Sequence, residues 1–588
     1  MTTNKQDDRL EKIRHSLSHI MSMAILELYP KTGLGMGPAI DDGFYQDYDL
    51  PENITEEILP KIEKRMKEII KQKIDFVEKK MSFDDALKFY KNDPYKTEII
   101  ADLKEMEEKE VCFYTSGDFD NLCKGPHVNN SSEIDFTAFK LTRIAGAYWK
   151  GDEKNKMLTR IYGIAFENKA KLKDHINKLA EAEKRDHNKL GKELDLFITS
   201  KPVGAGLPLL TPKGTTIMKE LQRWVEDEEQ KRGYQQTMTP ILAKKELYQI
   251  SGHWDIYREG MFIIGNKKEG EMALRPMTCP FQFMIYKSKK HSYRELPIRY
   301  SETSPLFRKE SSGEMHGLIR LSQFTLSEGH LICREDQLEE EFEGVLDLIK
   351  YIMDDTLRLT EYWYRFSKWD PKNIKGKYID NPKAWEESQK VMKKILDKNK
   401  MEYVEAEGEA AFYGPKLDIQ MRNVHGKEDT IITVQIDFAL PEKFDLTYTD
   451  ENGKDVRPTI IHRSSIGAYE RTLALLIEKY AGAFPTWLSP VQALVIPVAK
   501  DFNDYAEEVK QQLFDEGIRV EVDSSEDSLG KKIRNGEKQK SPYILVVGEK
   551  EVNDKAVAVR KRGQGDQGAE KVASFIKKIK KEIEEKKQ

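Results

Sequence analysis

The sequence predicts a multidomain protein of the α+β and α/β classes. At 588 residues the chain is too long for a single hydrophobic core. Proline- and glycine-rich stretches at residues 201–208 and 484–490 divide it into large segments. After the second stretch, strand-like and helical runs alternate, which is typical of a small α/β domain.

Composition limits the class of protein. Hydrophobic residues make up 39% and charged residues 34%, as in globular proteins. With no run of 18 apolar residues we expect no membrane span, and the polar N-terminus lacks the apolar core of a signal peptide. The four cysteines are too few for a disulfide framework. We therefore expect a cytoplasmic protein with reduced thiols.

The charge balance does not by itself indicate a nucleic-acid partner. The chain has 96 basic and 101 acidic residues, a net charge of -5, and its basic runs are local. Such runs usually form a solvated face of the protein. An RNA partner would need positive potential concentrated on particular surfaces, so composition leaves this class of function open.

The elements follow in chain order. Residues 9–29 keep apolar positions at helical spacing, and residues 167–194 predict one long exposed helix between two domains. A new domain opens near residues 194–210. In the C-terminal segment we predict strands at 492–498, 519–522 and 544–547, with helices at 505–516, 529–538 and 569–586, around a partly parallel sheet.

Three separated segments carry candidate chemistry. They are residues 233–240 (GYQQTMTP), residues 306–311 (LFRKES) followed by 315–320 (MHGLIR), and residues 461–463 (IHR) followed by 467–471 (GAYER), which enters a helix. A guanidinium stays charged and offers two donors to a carboxylate or a phosphate. Arg308 could hold the α-phosphate of ATP beside a carboxylate, and Arg471 the γ-phosphate, while Glu310 could accept from adenine or ribose. A single arginine is more often in a surface ion pair; the combination favours carboxylate activation by positioning and charge.

Together these segments resemble motifs 1, 2 and 3 of the class II aminoacyl-tRNA synthetases. Four flanking phrases are similar to the threonyl-tRNA synthetase family: residues 251–255 (SGHWD), 275–280 (RPMTCP), 411–416 (AFYGPK) and 484–488 (FPTWL). The resemblance covers about residues 10–575. It implies a six-stranded antiparallel catalytic sheet flanked by helices and a homodimer formed through motif 1. It also implies ATP with Mg²⁺, L-threonine and tRNA(Thr) as partners, with Arg320 beside Arg308 and Arg471 in the catalytic site.

The resemblance also implies a zinc site. Cys279, His330 and His462 lie far apart in the sequence, and a lone buried cysteine or histidine is usually structural. In the family, residues at these positions hold a zinc ion, and three protein ligands leave a position open. Zinc that binds the amino group and hydroxyl of threonine would reject valine, which a hydrophobic pocket cannot do. We expect zinc to act in recognition rather than to generate hydroxide.

A second, hydrolytic site is expected because serine lacks only one methyl group, worth roughly 1–3 kcal/mol of discrimination. His15 and His19 lie at i and i+4, on one face of the first helix, and residues 123–127 read CKGPH. An isolated HxxxH is usually two ordinary helix residues, and a metal site also fits this spacing. Followed by residues 147–152 (AYWKGD) and 157–163 (MLTRIYG), the pattern resembles the family's editing domain. That implies water-mediated hydrolysis of seryl-tRNA in a pocket lined by His15, His19, Lys96, Cys123 and His127, with a metal left open.

The resemblance divides the chain into four parts: an editing domain at 1–163, a linker helix at 164–193, a class II catalytic domain at 194–487 and an α/β anticodon-binding domain at 488–588. In the last part, Glu551 and Arg560 match positions that read anticodon bases, and both suit hydrogen bonds to base edges. The editing domain begins almost at Met1, so we expect no ubiquitin-like module before it.

The chain departs from the family pattern around the ligands. Ser327 and Glu328 replace two aspartates before the zinc histidine, so the contact to the threonine hydroxyl falls to Glu328. Thr430 and Ile431 replace polar residues, which leaves Gln435 as the threonine contact on that strand. In the editing loop Asn121 stands where aspartate is usual, with Asp120 one place earlier, and Glu526 replaces an anticodon-contacting asparagine.

Three alternatives remain. A class II synthetase for proline or histidine would lack the Cys279, His330 and His462 trio and the editing domain. A non-catalytic RNA-binding paralogue would be expected to lose Arg308, Arg471 or a zinc ligand. A free-standing zinc hydrolase explains neither the arginines nor the C-terminal domain.

Overall fold

The fold comes from a computed structural model that describes residues 3–106, 110–266, 270–311, 313–372 and 378–587. The chain forms two compact units, the first ending at Ala180 and the second beginning at Glu181. Among the described residues, no helix combines the length and apolar character needed to cross a membrane.

The N-terminal unit opens with a long helix that packs on a curved sheet. Its helices are α1 (Thr3–Leu28), α2 (Leu59–Lys71), α3 (Phe83–Phe89) and α4 (Pro94–Glu105). Its strands are β1 (Gly33–Leu34), β2 (Ala39–Ile40), β3 (Gly43–Asp49), β4 (Val77–Met81), β5 (Val111–Ser116), β6 (Phe119–Leu122), β7 (Phe139–Tyr148) and β8 (Met157–Ala165). The first helix was predicted at residues 9–29, and it begins earlier, at Thr3.

Two sheets shape this unit. One has the order β1-β3-β8-β7 with β2 beside β3, and the other is the antiparallel hairpin series β4-β5-β6. Helices α1 and α2 bury Leu17, Met21 and Ile62 completely against Phe44 and Ile161 of the first sheet. Because α1 is buried on this face, its histidines are carried into the interior of the unit.

The predicted continuous helix over residues 167–194 is wrong in one respect. Helix α5 (Lys169–Arg185) stops, and α6 (His187–Glu193) starts after a single residue, Asp186. The Asp186 carboxylate accepts hydrogen bonds from the Asn188 and Lys189 amides at 2.8 and 3.1 Å, so it caps the new helix. The charge composition predicted a single helix, but the hydrogen bonds from the Asp186 side chain to the backbone start a second one.

The second unit holds a large sheet and its covering helices. The helices are α7 (Pro212–Lys231), α8 (Lys245–Ser251), α9 (His253–Ile256), α10 (Cys279–Lys287), α11 (Leu338–Lys350), α12 (Pro382–Lys398), α13 (Leu440–Lys443) and α14 (Tyr469–Tyr480). The strands are β9 (Phe197–Ile198), β10 (Leu209–Leu210), β11 (Gln235–Gln236), β12 (Leu242–Lys244), β13 (Ile263–Asn266), β14 (Gly270–Leu274), β15 (Ile298–Phe307), β16 (Gln323–Cys333), β17 (Tyr362–Lys368), β18 (Tyr403–Glu407), β19 (Lys416–Arg422), β20 (Glu428–Asp437), β21 (Tyr448–Thr449), β22 (Asp455–Val456) and β23 (Thr459–Ala468).

The large sheet has the order β11-β15-β16-β23-β20-β19-β17-β18. The six strands from β15 to β17 pair antiparallel throughout, which confirms the predicted antiparallel sheet. The prediction of six strands is incomplete, because β11 and β18 extend the two edges through parallel pairing. Helices α7, α11 and α14 pack on the strands in one hydrophobic core, and α10 and α13 pack on β15, β16 and β23 in another.

The C-terminal region has its own core and a mixed sheet. Its strands are β24 (Ala493–Pro497), β25 (Val520–Val522), β26 (Tyr543–Val547), β27 (Ala556–Lys561) and β28 (Gly565–Lys571), and its helices are α15 (Asn503–Asp515), α16 (Leu529–Lys538), α17 (Glu549–Asp554) and α18 (Val572–Glu584). The predicted partly parallel sheet is confirmed, since β24 pairs parallel with β25 and β26 while β27 and β28 pair antiparallel. The predicted helix at 569–586 starts too early, because residues up to Lys571 belong to β28.

Candidate active site and histidine–cysteine clusters

A cavity of about 360 Å³ opens on the large antiparallel sheet. Eight of the residues predicted from the sequence line it: Cys279, Arg308, Glu310, Arg320, Glu328, Gln435, His462 and Arg471. They come from the N-terminus of α10, from β16, β20 and β23, from the segment between β15 and β16, and from the start of α14. The fold thus brings together residues that are up to 192 positions apart in sequence (471 minus 279).

Three of the predicted ligands form one cluster, two members of which, Cys279 and His462, line this cavity. The ligand atoms of Cys279, His330 and His462 all lie within 4.8 Å of one another, and all three residues are buried. His330 on β16 stands directly opposite His462 on β23 in the antiparallel ladder. Their rings are perpendicular, with centroids 4.6 Å apart. Sheet register therefore fixes the two imidazoles, and α10 supplies the thiol.

Hydrogen bonds fix which nitrogen of each imidazole is free. The Asp437 Oδ2 lies 2.8 Å from His462 Nε2, and a carboxylate only accepts, so Nε2 carries the proton and Nδ1 keeps its lone pair. The Gln282 carbonyl Oε1 accepts in the same way from His330 Nδ1. The lone pair of His330 Nε2 is then buried, and no described residue hydrogen-bonds to it; Glu328 Oε1 lies 3.7 Å away.

This donor set fits a metal ion. Oriented second nitrogens are the usual support for metal-binding histidines. Burial raises the pKa of the Cys279 thiol well above its usual value, so a positive ion is what would favour the thiolate here. One sulfur and two nitrogens match the preference of zinc, and three protein ligands leave room for a further one.

The charged end of the cavity carries the predicted arginines. Arg308 donates from Nε to the Pro276 carbonyl at 3.2 Å, and its guanidinium lies 5.1 Å from the centre of the Phe324 ring. The Glu310 carboxylate accepts from Arg320 Nε at 2.8 Å, so this pair is formed before any ligand binds. Two cations and one carboxylate lining the same cavity suit an anionic ligand that carries a donor group.

Arg471, which also lines this cavity, is held by two backbone carbonyls. Its Nε donates to the Ile319 carbonyl at 2.8 Å and its Nη1 to the Thr430 carbonyl. Burial lowers its pKa from the usual value. These hydrogen-bond partners are neutral carbonyls, while the Asp429 carboxylate is near enough to raise its pKa. The guanidinium lines the cavity, where it can bind an anionic ligand.

The two candidate threonine contacts lie beside the cluster. Glu328 accepts from the Thr278 amide at 3.1 Å, and burial raises the pKa of its carboxyl. Gln435 is the register partner of His462, and its buried Oε1 has no hydrogen-bond partner among the described residues. Thr430 and Ile431, which depart from the family pattern, also line the cavity.

A second cluster lies inside the N-terminal unit. The ligand atoms of His15, His19, Cys123 and His127 lie within 4.8 Å of one another. Cys123 Sγ is 3.1 Å from His15 Nε2 and 3.3 Å from His127 Nε2. Helical spacing on α1 and the short loop after β6 therefore meet as the sequence predicted.

Burial keeps the histidines of this cluster neutral. It lowers the pKa of His127 to about 2 and those of His15 and His19 below their usual value. It raises the pKa of Cys123 to about 11 and lowers that of the buried Lys96 to about 8. At neutral pH the cluster is thus three neutral imidazoles and a thiol, with the cationic Lys96 near enough to lower the His19 pKa further.

Two departures from the family pattern have defined positions. The Asn121 amide nitrogen lies 3.1 Å from His19 Nε2, so the asparagine contacts the cluster directly. Asp120 instead bonds to the Thr115 hydroxyl, at 2.5 Å. In the C-terminal region Glu526 is exposed and pairs with Lys500 at 2.6 Å.

The two predicted anticodon residues lie on different elements of the C-terminal region, Glu551 on α17 and Arg560 on β27. Glu551 accepts from the Gly548 amide at 3.1 Å at the start of α17. Arg560 lies on β27 opposite Ile544, and its buried Nε has no hydrogen-bond partner among the described residues. A polar atom without a partner suits a bound base edge.

Sequence reasoning missed four supporting residues. Gln282 lies three positions after Cys279, on the same face of α10, and this spacing could have indicated it. Asp437 orients His462 from 25 residues away, and no local signal marks it. Ser16, 3.1 Å from His127 Nδ1, and Phe76, stacked 5.3 Å from the same ring, support the second cluster from elements that only the fold brings near.

Three protein-family models match the chain, one within the N-terminal unit and two within the second unit. Residues 262–480 match the class II tRNA synthetase core domain (G, H, P, S and T). Residues 492–582 match the anticodon binding domain, and residues 111–162 match the threonyl and alanyl tRNA synthetase second additional domain.

Full-length relatives decide the family. A threonine–tRNA ligase from Clostridium botulinum (strain Alaska E43 / Type E3) is 57% identical over 97% of this chain and 89% of that protein. One from Anoxybacillus flavithermus (strain DSM 21510 / WK1) is 49% identical over 99% and 90%. The chain belongs to the threonine–tRNA ligase family. A solved structure titled the RNA binding domain of threonyl-tRNA synthetase from Cryptosporidium parvum Iowa II is similar to this member, with a TM-score of 0.64 and 33% identity over 67% of this chain and 98% of that one.

Membership of the threonine–tRNA ligase family confirms the predicted multidomain class: an N-terminal editing-type domain, a class II core with an antiparallel sheet, and a C-terminal anticodon-binding domain. The individual site residues and the borders at residues 163, 193 and 487 remain predictions.

Proposed function

We propose that this chain is a threonine–tRNA ligase that activates L-threonine with ATP and transfers it to the 3′ end of tRNA(Thr). One observation carries the proposal: Cys279 and His462 line the same cavity as Arg308 and Arg471, and the buried His330 completes their cluster. A site for a small hydroxylated amino acid thus adjoins a site for an anionic phosphate chain. Family membership supports both halves.

In activation, the arginines act by position and charge. Arg308 binds the α-phosphate beside the threonine carboxylate, and Arg471 binds the γ-phosphate of ATP, which enters with Mg²⁺. The threonine carboxylate attacks the α-phosphorus and pyrophosphate leaves, so the charge at phosphorus grows between fixed donors. Glu310, held by Arg320, accepts from the adenine amino group or the ribose.

Cys279, His330 and His462 would hold a zinc ion, whose chemistry is that of a Lewis acid for the amino group and hydroxyl of threonine. Gln282 and Asp437 each accept a hydrogen bond from one nitrogen of an imidazole, which leaves the lone pair of the other nitrogen free to bind the metal. Glu328 and Gln435 supply the remaining polar contacts. Valine would leave these groups unpaired and be rejected.

The N-terminal cluster is proposed to hydrolyse seryl-tRNA(Thr). Neutral imidazoles of His15 and His19 can accept a hydrogen bond from the attacking water and orient it in the pocket that His127 also lines, and the cationic Lys96 can stabilise the anion that forms. The family match over residues 111–162 supports this role. Side chains suffice for the chemistry, so a metal is not required by the proposal.

The remaining proposals concern assembly. We propose domains at 1–163, 194–487 and 488–588 joined by the linker at 164–193, with Glu551 and Arg560 reading the anticodon. A homodimer through motif 1 is supported by Met238, an apolar residue 96% exposed just after the edge strand β11. Light scattering that gives 136.4 kDa (2 × 68.2) would support it. Four free thiols support a cytoplasmic location.

The proposal is tested by ATP–pyrophosphate exchange with threonine, serine, valine, proline and histidine. We expect exchange with threonine, weaker exchange with serine and almost none with valine. Arg471→Ala should abolish exchange with every amino acid, whereas Arg519→Ala removes a partly buried arginine of the C-terminal region that does not line this cavity and should retain exchange. Exchange that prefers proline or histidine, or none at all, would overturn the assignment.

A further inference from the structure

The turn that supplies one wall of the ATP cavity is attached to the linker by a buried histidine. His187, the first residue of α6, is completely buried, and its Nε2 lies 3.2 Å from the Leu318 amide nitrogen. An amide N–H only donates, so Nε2 accepts and the imidazole proton sits on Nδ1. Nδ1 then donates to Glu478 Oε1 at 2.7 Å. The contact selects one tautomer of a neutral ring.

The turn held in this way is part of the site. Residues 316–320 close on themselves, with the Ile319 amide donating to the His316 carbonyl at 2.9 Å. Leu318, Ile319 and Arg320 all line the cavity. The Ile319 carbonyl accepts from Arg471 Nε at 2.8 Å. The amide of one residue thus bonds to His187, and the carbonyl of the next bonds to the proposed γ-phosphate ligand.

The other end of the same contact returns to the same helix. Glu478 follows Arg471 by seven residues on α14, close to two full helical turns, so both lie on one face. Its second oxygen accepts from the Val424 amide at 3.1 Å. Three hydrogen bonds and one peptide link therefore form a closed path that starts and ends on α14: Arg471 to Ile319, Ile319 to its chain neighbour Leu318, Leu318 to His187, and His187 to Glu478.

Close packing shows that the histidine and the turn are fitted to each other. Gly317 has φ +51°, and a Cβ there would lie 2.0 Å from His187 Nε2. A residue with a side chain would have to displace either the ring or the turn. The approach leaves no room for a water between them.

We propose that His187 is a positioning residue for ATP: through the amide of Leu318 it sets the turn that holds Arg471 at the phosphate site. This rests on the proposed function, since ATP is the ligand of that cavity. His187 contacts neither ATP nor threonine in this account. It acts through the turn.

The test compares His187→Phe with His291→Phe in pyrophosphate exchange. His291 is a matched control, since it is 2% exposed, its Nδ1 lies 3.1 Å from Glu295 Oε2, and its Nε2 lies 2.9 Å from the Tyr286 carbonyl, away from the ATP cavity. We expect His187→Phe to raise the KM for ATP about tenfold, the size of one lost hydrogen bond, with the KM for threonine unchanged. His291→Phe should change neither KM.

A second variant keeps the proposal testable if His187→Phe does not fold. Gly317→Ala presses on the same contact from the turn and should also raise the KM for ATP selectively. Rescue by His187→Gln, whose amide oxygen can accept from Leu318, would support a hydrogen-bonding role. Equal KM values for ATP in the wild type, His187→Phe and Gly317→Ala would overturn it. Wild-type protein without threonine-dependent exchange would instead refute the proposed function.

Discussion

At the scale of single residues, the proposed zinc binding depends on where the imidazole lone pairs of His330 and His462 point. The sulfur and the two imidazoles meet within 4.8 Å, and the partners behind them decide whether they can bind a metal. Asp437 forces His462 to keep its proton on Nε2. The other oxygen of this carboxylate, Oδ1, accepts hydrogen bonds from the Ala439 and Leu440 amides at 2.8 and 2.9 Å and so caps α13.

Asp437→Asn should therefore weaken zinc binding without loss of fold. The asparagine Oδ1 can still cap α13, but its NH₂ group faces His462 Nε2 and drives the proton to Nδ1, where the ligand lone pair was. We expect zinc affinity to fall roughly 10- to 100-fold, the usual effect of losing such a partner. A competition titration against a chromophoric chelator measures it. Asp418→Asn, a completely buried carboxylate on β19, should have no such effect, and equal losses would argue against the orienting role.

Lys96 gives a pH dependence of stability in the N-terminal unit. Unfolded, its ammonium keeps the proton up to 10.5, but in the folded unit burial lowers the pKa to about 8. Between these values the unfolded chain binds more protons, so this group makes stability rise with pH. The slope is at most about 1.4 kcal/mol per pH unit.

Hydrogen exchange of α4 peptides at several pH values tests this, with Lys96→Met as the matched variant. The difference between wild type and Lys96→Met in opening free energy should grow in favour of the wild type as pH rises from 8. A difference independent of pH would show that Lys96 titrates normally.

Most residues of the cavity on the large sheet and of the N-terminal cluster could be predicted, because they belong to the sequence motifs of the family. His15 and His19 could also be placed on one helix face by spacing alone. What could not be predicted is support across the fold. Nothing near Asp437 in sequence indicates that it bonds to His462, because that contact depends on the pairing of β20 with β23.

At the scale of elements, the local sequence pattern predicted helices that bury one face. It did not predict a strand whose extended conformation depends on pairing with a neighbouring strand. The helix at Leu529–Lys538 was predicted with its bounds, from an amphipathic pattern. Strand β28 was missed because Gly565–Lys571 is polar and almost wholly exposed, so only its pairing with β27 makes it extended.

The helix break at Asp186 is an element that can be tested directly. Asp186→Ala removes the cap of α6 and the 2.8 Å contact from its Oδ2 to His425 Nε2. We expect a loss of about 1 kcal/mol in the free energy of unfolding of the second unit, the usual value of a cap. Asp186→Asn keeps an acceptor for the two amides and should lose less, as urea denaturation would show. Equal losses in both variants would mean that the cap contributes little.

At the scale of the whole molecule, the two clusters belong to different compact units, one ending at Ala180 and the other beginning at Glu181. One cluster is neutral and buried around a thiol; the other adjoins an arginine-lined cavity. The proposal therefore assigns synthesis and hydrolysis to separate residues, and it predicts that each activity can be removed alone.

His19→Ala should leave threonine activation unchanged and let seryl-tRNA(Thr) accumulate at least tenfold, because the cluster loses one of its three imidazoles. Hydrolysis of preformed seryl-tRNA(Thr) measures the loss. His175→Ala, a partly exposed histidine on α5, is the control and should clear seryl-tRNA at the wild-type rate. Unchanged clearance in His19→Ala would remove the editing role.

The central claim is that Cys279, His330 and His462 hold one zinc ion per chain and that this ion is needed to select threonine. Zinc content measured by atomic absorption in the preparations used for pyrophosphate exchange tests it most directly. We predict one zinc per chain in the wild type and in Cys333→Ala, which removes another buried thiol, at the end of β16, and neither zinc nor threonine-dependent exchange in Cys279→Ala. A metal-free wild-type preparation that still activates threonine and rejects valine would contradict the claim.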